Sequence, residues 1–386
     1  MINKNEIMDI IIIGAGASGL MVASQLNKNK KFIILDINDK IGSKIEISGG
    51  GKCNITNQSI EASDYIGNPY FINDILREFD QYQLLEWLEK NNLTPNIRES
   101  GQYFCKNSSK EIINIFKKNI DIKNIILNCK VENIRKREDV FYVECGKKSY
   151  RAKSLVVASG GLSFPILGAT DIGFKIATSF EHTINALSPA LVGLTLQKEQ
   201  FFFKELSGIS TKVTIRVEDK ILNGSILFAH KGISGIVILD TSLFWTKGEI
   251  EIDFLPDFDI EPHQNSKKLV SNLLPIPKSL SKAFLKHLKI QDSPMNKLSK
   301  ENIYQLLRLK SYKFPPAGNF GYSKAEVTKG GVSTDEINSK TMMSKKVDNL
   351  YFIGEVLDIT GKIGGYNFQW AFSSAFVCAN NLKKDV

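Results

Sequence analysis

The sequence has little of what several classes of protein require. Its 386 residues include five cysteines without a C-x-x-C pair, so the spacing predicts neither a zinc site nor a redox disulfide motif. No run of eighteen apolar residues occurs, which argues against a membrane-spanning helix and a membrane partner. These absences favour a reducing, cytoplasmic location.

Signatures of catalysis and of nucleic-acid binding are also scarce. The four histidines show no Ser/His/Asp order and no metal-ligand spacing, and no pair of carboxylates stands out. The chemistry is therefore expected from a cofactor. The formal net charge is +9, but no block of five or six like charges occurs. We expect a basic, solvated surface and a small-molecule substrate, with no nucleic-acid partner.

What the sequence does contain is a nucleotide-binding pattern near its start. The apolar run DIIII (9–13) predicts a buried parallel strand, and GAGASG follows it. In this G-x-G-x-x-G pattern, Gly14 allows a tight turn, Gly16 lets a pyrophosphate approach the backbone, and Gly19 lets helix pack on strand. Asp36 ends the next predicted strand, where a carboxylate can accept hydrogen bonds from ribose hydroxyls. The pattern predicts a dinucleotide with its pyrophosphate at the helix N-terminus.

Three further glycine-rich stretches indicate which dinucleotide binds. They are SLVVASGG (154–161), VTKGGV (327–332) and the longer stretch 351–376, which predicts a strand, a loop and a helix. Four such loops are more than one nicotinamide dinucleotide needs. An extended FAD lying across the carboxyl ends of a parallel sheet has contacts at several strand ends, so FAD is the predicted cofactor.

Six blocks of the sequence resemble the BaiN/RdsA-like family of NAD(P)/FAD-dependent oxidoreductases. They are GAGASGL, IGSKIEISGGGKCNITN, LVVASGGLSFPILGATDIGFKIA, LFAHKGISG, AEVTKGGVSTDEINSKTMMSKKVDNLYFIGEVLD and GKIGGYNFQWAFSSA. The resemblance covers nearly the whole chain. It implies a glutathione-reductase-type, Rossmann-like α/β domain that binds FAD and is split by an insertion, part β-barrel and part helical. It also implies NADH or NADPH as the electron donor.

The sequence departs from the family pattern at five positions. Ser43 and Lys52 stand where arginines are usual, and Ala229, Ile236 and Ala375 replace a threonine, a proline and a glycine. Loss of an arginine removes a bidentate contact with an anion. These departures bear on the substrate and on the tuning of the flavin rather than on the FAD fold.

The residues assigned to the cofactor lie in the glycine loops and at strand ends. Residues 48–54 are expected beside the pyrophosphate and the flavin, and the helix after Gly365 is expected to direct its N-terminus at flavin N1 and C2=O. The complete assignment is Gly14, Gly16, Ala17, Ser18, Gly19, Asp36, Lys44, Ser48, Gly50, Gly51, Cys53, Asn54, Val131, Ala158, Ser159, Gly160, Gly354, Glu355, Gly364, Gly365, Tyr366 and Asn367.

The sequence allows two roles for several side chains near these loops. His230, in a glycine-flanked loop, is the candidate acid or base, although a loop histidine bound to backbone is an equal alternative. Cys53 is a packed thiol rather than a redox group, because no second cysteine is near it in sequence. Lys44 and Lys52 are either phosphate partners or solvated. Trp370 and Phe372 are either a flavin-stacking pair or packing residues of a helix that enters the core, and packing is the preferred interpretation.

The domain organisation follows from the change of pattern along the chain. Residues 1–187 and 325–386 are predicted to form the FAD-binding domain, with a β-rich insertion over 188–261 and a helical segment over 262–324. The predicted activity is hydride transfer from flavin N5 to an unsaturated or carbonyl-conjugated small molecule. A tRNA-modifying flavoenzyme, a non-catalytic flavin sensor and an oxidase remain alternatives, and the sequence does not indicate the oligomeric state.

Overall fold

The computed structural model describes residues 6–98 and 101–384. The chain divides into two compact units, one comprising the residues up to Ser188 and from Val327 onward, the other Pro189–Glu326. We call them the first and the second unit.

The N-terminal part of the first unit alternates strands with helices. Its strands are β1 Ile7–Ile13, β2 Phe32–Leu35, β3 Asn54–Asn57, β4 Tyr65–Ile66, β5 Asn96–Ile97, β6 Gln102–Phe104, β7 Ile125–Ile126, β8 Asn133–Arg137, β9 Val140–Cys145, β10 Lys148–Val157 and β11 Ile184–Ala190. Its helices are α1 Ala17–Gln25, α2 Ser43–Gly51, α3 Pro69–Glu78, α4 Gln81–Lys90, α5 Lys110–Asn119 and α6 Ile172–Ser179.

The second unit and the C-terminal return follow. The second unit has strands β12 Leu194–Thr195, β13 Ser210–Val217, β14 Lys220–Ala229, β15 Gly232–Ser234, β16 Ile250–Asp253, β17 Tyr312–Phe314 and β18 Gly318–Asn319, and helices α7 Ile236–Phe244, α8 Val270–Leu273, α9 Lys278–His287 and α10 Lys300–Leu307. The return adds β19 Val327–Val332, β20 Leu350–Phe352, β21 Thr360–Gly361 and α11 Tyr366–Lys384.

The main sheet of the first unit positions the glycine loops. Strands β7, β2, β1 and β10 pair in that order and in parallel, and β20 pairs in parallel with the end of β10. Ile10–Ile13 are almost fully buried, because this sheet is covered on both faces as a parallel sheet requires. The carboxyl ends of β1, β2, β10 and β20 share one edge, which confirms the predicted Rossmann-like α/β fold.

Helix α11 is the longest element packed in the first unit. Trp370, Phe372 and Ala375 are buried in the core, and the helix packs against α1 and α3. Ala375, which stands where the family pattern has glycine, is fully buried. The helix therefore holds the loops at its N-terminal end in a fixed position.

The second unit is built on an antiparallel sheet. Its strand order is β17-β16-β13-β14-β15-β12-β18, and its core is rich in phenylalanine, including Phe203, Phe254 and Phe284. Strands β17 and β18 fall within 262–324, the segment predicted to be helical. The helices of that segment end near Lys310, and the chain then returns to the sheet, where Tyr312–Phe314 pair with Ile250–Ile252.

The cysteine expectation needs a correction. The structure joins Cys129 and Cys145 in a disulfide, although the sequence predicted no disulfide motif. The reason is the β8–β9 hairpin, in which the Glu132 N–H donates to the Glu144 carbonyl and brings the two cysteines together across sixteen residues of sequence. Cysteine spacing therefore gives no guide to the redox setting of this chain.

No helix among residues 6–98 and 101–384 combines the length and the apolar character needed to cross a membrane.

Candidate functional site

The glycine turn after β1 has a different requirement at each glycine. Gly14 has φ +106°, and a Cβ there would lie 2.5 Å from the Ala158 carbonyl oxygen. A Cβ at Gly19 would clash with the Gly14 carbonyl, so helix and strand can meet only at glycine. A Cβ at Gly16 would have nothing within 4 Å. The first and third glycines serve the fold, and the second faces open space.

That open space lies at the N-terminus of α1. Gly16 is the N-cap residue, in an extended conformation, and no side chain caps the helix. Ala17 and Ser18 form the first turn, whose N–H groups lack acceptors within the helix. An uncapped helix N-terminus with an open approach suits an anionic group such as a pyrophosphate.

Asp36 lies at the same edge of the sheet, directly after β2. Its Oδ2 accepts the Ala15 N–H at 2.6 Å and its Oδ1 accepts the Asn38 N–H at 2.8 Å. Burial raises the pKa of Asp36, and these backbone donors oppose the shift. The Cys129 N–H donates to the Asp36 backbone carbonyl at 2.8 Å. Val131 follows two residues later and is buried, and its contact with the cofactor stays a prediction.

The run of three glycines forms a left-handed turn that interrupts α2. Gly49, Gly50 and Gly51 have φ of +56°, +67° and +83°, a region that other residues adopt at a cost. A Cβ at Gly49 would press on Asn54 N and on the Phe104 ring, each 2.9 Å away, whereas Gly50 and Gly51 have nothing within 4 Å. The loop is thus anchored at its first glycine and open at the next two.

The loop is flanked by Ser48, by the buried Cys53 and by the half-buried Asn54. The Ser48 hydroxyl donates to the Ile45 carbonyl at 2.8 Å. Burial raises the pKa of the Cys53 thiol, which disfavours the thiolate and supports the packing interpretation. The Asn54 Nδ2 donates to Gln102 Oε1 at 2.7 Å, while Asn54 Oδ1 is buried without a partner among the described residues. Such an atom fits a missing donor.

Lys44 and Glu355 connect the α2 segment to the end of β20. The Lys44 ammonium lies 2.8 Å from Glu355 Oε2, and Glu355 Oε1 accepts the Thr328 N–H at 2.9 Å. The Thr328 hydroxyl in turn accepts the Leu162 N–H at 2.7 Å. Three of the glycine-rich stretches therefore meet at Glu355. The Lys44 side chain is 35% exposed and is paired with this carboxylate, and its role as a phosphate partner stays a prediction.

The loop after β10 also faces this edge. The Ala158 N–H donates to the Ile13 carbonyl at 2.9 Å, and Gly160 has φ +72°. The Ser159 hydroxyl is buried without a partner in the described chain and lies against Gly173, where a Cβ would overlap it. This is a second unsatisfied polar atom among the assigned residues.

The last loop leads into α11, which begins at Tyr366 as expected. Gly364 and Gly365 have φ of +129° and +100°. The Asn367 Oδ1 accepts the Gly361 N–H and its Nδ2 donates to the Gly361 carbonyl, both at 2.9 Å. Asn367 therefore braces the loop with its whole amide group.

Two buried donors hold neighbouring parts of the loop and of β20. The Tyr65 hydroxyl donates to the Tyr366 carbonyl at 3.0 Å, and the Trp370 indole donates to the Gly354 carbonyl at 3.1 Å. Trp370 is thus a packing residue. Gly354, at φ +72°, lies against the Ser18 hydroxyl of α1.

Comparison with known proteins identifies the family. Residues 8–381 match the model of the HI0933-like protein Rossmann domain. The chain belongs to the HI0933-like family. This agrees with the resemblance noted in the sequence, and together with the glycine turn and Asp36 it confirms a flavoprotein oxidoreductase that uses FAD.

Three curated proteins are similar to this HI0933-like chain over almost its full length. A ribosomal RNA dihydrouridine synthase of Haemophilus influenzae is 39% identical and covers 97% of this chain and 98% of its own. One of Escherichia coli is 35% identical, covering 98% of both chains. A 3-dehydro-bile acid delta(4,6)-reductase of Clostridium scindens is 27% identical, covering 95% of this chain and 97% of its own.

The assigned residues fit FAD by two kinds of observation. A Cβ at Gly16, Gly50 or Gly51 would meet no atom within 4 Å, so the backbone at each position is open to a ligand. Asn54 Oδ1 and Ser159 Oγ are buried without partners among the described residues. Both kinds of feature fit a long ligand with an anionic centre. The individual contacts remain predictions.

A cavity that the sequence did not predict lies beside the glycine loop. It has a volume of about 430 Å³ and is lined by Lys52, Pro95, Asn96, Ile97, Arg98, Phe104, Cys105 and Lys106. The Arg98 guanidinium lies 3.7 Å from the centre of the Phe104 ring, an arrangement typical of a cation on an aromatic face. Three basic side chains make this cavity suited to an anionic ligand.

His230 lies in the second unit. It occupies the turn between β14 and β15 and is exposed to solvent. This placement leaves its proposed acid or base role a prediction.

Proposed function

We propose that this chain reduces uridine in ribosomal RNA to dihydrouridine, with FAD as the hydride carrier and NADH or NADPH as the electron donor. The observation that carries the proposal is its similarity to two ribosomal RNA dihydrouridine synthases, at 39% and 35% identity over nearly the whole length of each protein. The proposal departs from the expected small-molecule substrate and from the expectation of no nucleic-acid partner.

The chemistry is the class that the sequence analysis expected. The C5=C6 bond of uracil is conjugated with the C4 carbonyl, so its reduction adds one hydride and one proton to a carbonyl-conjugated double bond. When bound, FAD supplies two-electron transfer between the nicotinamide donor and this bond. The same reaction class covers the bile-acid relative, which explains how one cofactor unit can serve both substrates.

The chain's own residues have distinct parts in this proposal. The open backbone at Gly16 and the N-terminus of α1 bind the pyrophosphate, and Asp36 accepts hydrogen bonds from the ribose of adenosine. Glu355, held by Lys44, orients the middle of the cofactor. The N-terminus of α11 favours negative charge on the reduced flavin ring.

The basic cavity adds support for a phosphate-bearing substrate. Lys52, Arg98 and Lys106 contribute three positive charges beside the open glycines. Arginine stacked on an aromatic ring is also a surface on which a nucleobase can stack. A polyanion satisfies such a lining better than a steroid with a single carboxylate.

A genetic experiment tests the proposal. An Escherichia coli strain without its own 35%-identical synthase is given this chain or its Gly16→Val variant, and purified ribosomal RNA is digested to nucleosides for mass spectrometry. We expect the native chain to restore dihydrouridine and the variant to leave it absent. A native chain that is expressed and yellow, yet restores no dihydrouridine, would refute the proposed substrate.

The electron donor is tested separately with purified protein. Anaerobic mixing with NADH or with NADPH is followed at the flavin absorption band. Rapid bleaching by one nucleotide identifies the donor, and bleaching by neither contradicts this part of the proposal. Reduction of a conjugated steroid dienone instead of ribosomal RNA would support the bile-acid type of activity, which the 27% identity makes the second candidate.

A further inference from the structure

Most of the formal net positive charge of the chain falls in one segment of the second unit. Residues 262–310, which we call the basic segment, contain ten lysines and arginines and two acidic residues, a net charge of +8. The whole chain has a formal net charge of +9, so all other residues together contribute only +1. A distribution of this kind is the electrostatic mark of a polyanion-binding surface.

Helix α9 orders part of this charge into a row. Lys278, Lys282 and Lys286 are exposed and lie at i, i+4 and i+8, so they share one face and span about 12 Å along the helix. The opposite face carries Leu280, Ser281, Phe284 and Leu285, which are buried in the unit. We call the three lysines the lysine face.

Most lysines of this segment form no ion pair within the described part of the fold; the exception is Lys310, which lies 3.1 Å from Asp259. Eight of them lie between residues 267 and 300, and none forms an ion pair with a carboxylate of the described chain. Elsewhere exposed lysines do find acids, as Lys313 does with Glu251 at 2.7 Å and Lys346 with Glu336 at 2.7 Å. An ordinary solvated surface mixes both signs in similar numbers, whereas this segment has ten basic residues and two acidic ones.

Backbone pairing adds a second group of charges to the same segment. The Met295 N–H donates to the Lys268 carbonyl and the Asn296 N–H to the Ser266 carbonyl, both at 3.0 Å. These bonds bring the exposed Lys267 and Lys268 close to the exposed Lys297. The basic segment therefore presents at least two clusters that the fold itself arranges.

We propose that the lysine face of α9 binds the phosphodiester backbone of the RNA substrate. The proposal rests on the proposed function, which makes RNA the substrate, and deepens it by naming the surface that holds the RNA. RNA is preferred to an anionic membrane because the apolar side of α9 is buried in the core. The helix therefore has no free hydrophobic face to insert into lipid.

The test removes the charge and keeps the helix. The variant Lys278→Gln/Lys282→Gln/Lys286→Gln is compared with a control, Lys110→Gln/Lys117→Gln/Lys118→Gln, which removes three exposed lysines from α5 of the first unit. Glutamine has nearly the helix propensity of lysine. FAD content and the flavin spectrum are measured first, to show that both proteins fold.

Binding of protein-free ribosomal RNA is then measured as a function of salt. Each lost phosphate contact reduces the slope of log K against log[salt] by about 0.7, so three contacts reduce it by about 2 and raise Kd roughly 10- to 50-fold near 0.15 M salt. We expect this change in the α9 variant and less than a threefold change in the control. The KM for RNA should rise in the same proportion, while kcat at saturating RNA should stay within twofold.

Three outcomes would overturn the inference. One is an unchanged slope and Kd in the α9 variant; another is an equal loss in both variants, which would indicate net charge alone. The third is unchanged RNA binding together with lost binding to phosphatidylglycerol vesicles, which would assign the face to a membrane. Failure of the proposed function is read separately, because it appears as the absence of dihydrouridine with the unmodified chain.

Discussion

Substitution of Gly16 separates cofactor binding from folding. Gly16 has φ −87° and ψ −166°, which valine adopts readily, and a Cβ there meets no atom within 4 Å. Valine restricts the unfolded chain more than glycine does, which should stabilise the folded protein by about 0.4–1 kcal/mol. Valine is also a poorer N-cap than glycine, which should destabilise it by about 1 kcal/mol. We therefore expect Gly16→Val to change the free energy of unfolding of the apoprotein by no more than about 1 kcal/mol.

The same change should remove FAD. The valine side chain would fill the open approach to the N-terminus of α1 and separate its N–H groups from the pyrophosphate. Each hydrogen bond to a charged group contributes about 1.5–3 kcal/mol, so loss of two costs about 3–6 kcal/mol. This corresponds to a rise of roughly 10²- to 10⁴-fold in the Kd for FAD.

The assay compares FAD content after purification, Kd from flavin fluorescence, and thermal unfolding of the apoprotein. Gly19→Ala is the contrasting variant, because its Cβ would clash with the Gly14 carbonyl and should impair folding itself. A Gly16→Val protein that keeps stoichiometric FAD at the native Kd would show that the glycine turn does not hold the pyrophosphate. A loss of FAD together with an unfolded apoprotein would show that Gly16 is needed for folding and not only for binding the cofactor.

Two further predictions concern stability in the first unit. Asn367→Leu should lower the free energy of unfolding by about 1–3 kcal/mol, because the Gly361 N–H and carbonyl lose their partner; an unchanged denaturation midpoint would contradict this. Although burial alone would raise it, hydrogen bonds led by that from Lys346 lower the pKa of Glu336 from 4.5 to about 2. This contributes about 3 kcal/mol above pH 4.5, which is lost as the pH falls toward 2. Burial lowers the pKa of His182, so stability also falls with pH below about 6.5. Thermal unfolding measured from pH 7 to pH 3 should show a loss of stability below about pH 6.5 and a further loss below pH 4.5. Glu336→Gln should remove the loss below pH 4.5.

The sequence could predict those parts of the site where local backbone geometry requires one particular residue type. Gly14, Gly16 and Gly19 have the three roles that the pattern assigns to them, a turn, an open approach and a close helix contact. The start of α11 at Tyr366 follows from the two glycines before it. These features depend on short stretches of chain whose geometry is set by neighbours in sequence.

The parts that sequence could not predict depend on partners far apart in the chain. Lys44 pairs with Glu355, 311 residues away. The basic cavity forms because β6 pairs with β5 on one side and with β3, which follows Lys52, on the other. Nothing in any one of these strands alone indicates that pairing. The disulfide between Cys129 and Cys145 arises in the same way, from the register of a hairpin.

Net charge shows most clearly why composition alone could not identify the substrate. A formal net charge of +9 for 386 residues is compatible with an ordinary solvated surface. The sequence shows no charge block at α9 because three residues lie between its successive lysines. A helix turns that spacing into one face, since residues at i and i+4 are neighbours on its surface. The FAD-binding loops are compatible with any conjugated double bond, from a steroid to a nucleobase. The choice among such substrates must therefore come from surfaces outside those loops. The lysine face of α9, whose three exposed lysines form no ion pair with a carboxylate of the described chain, is the surface to test.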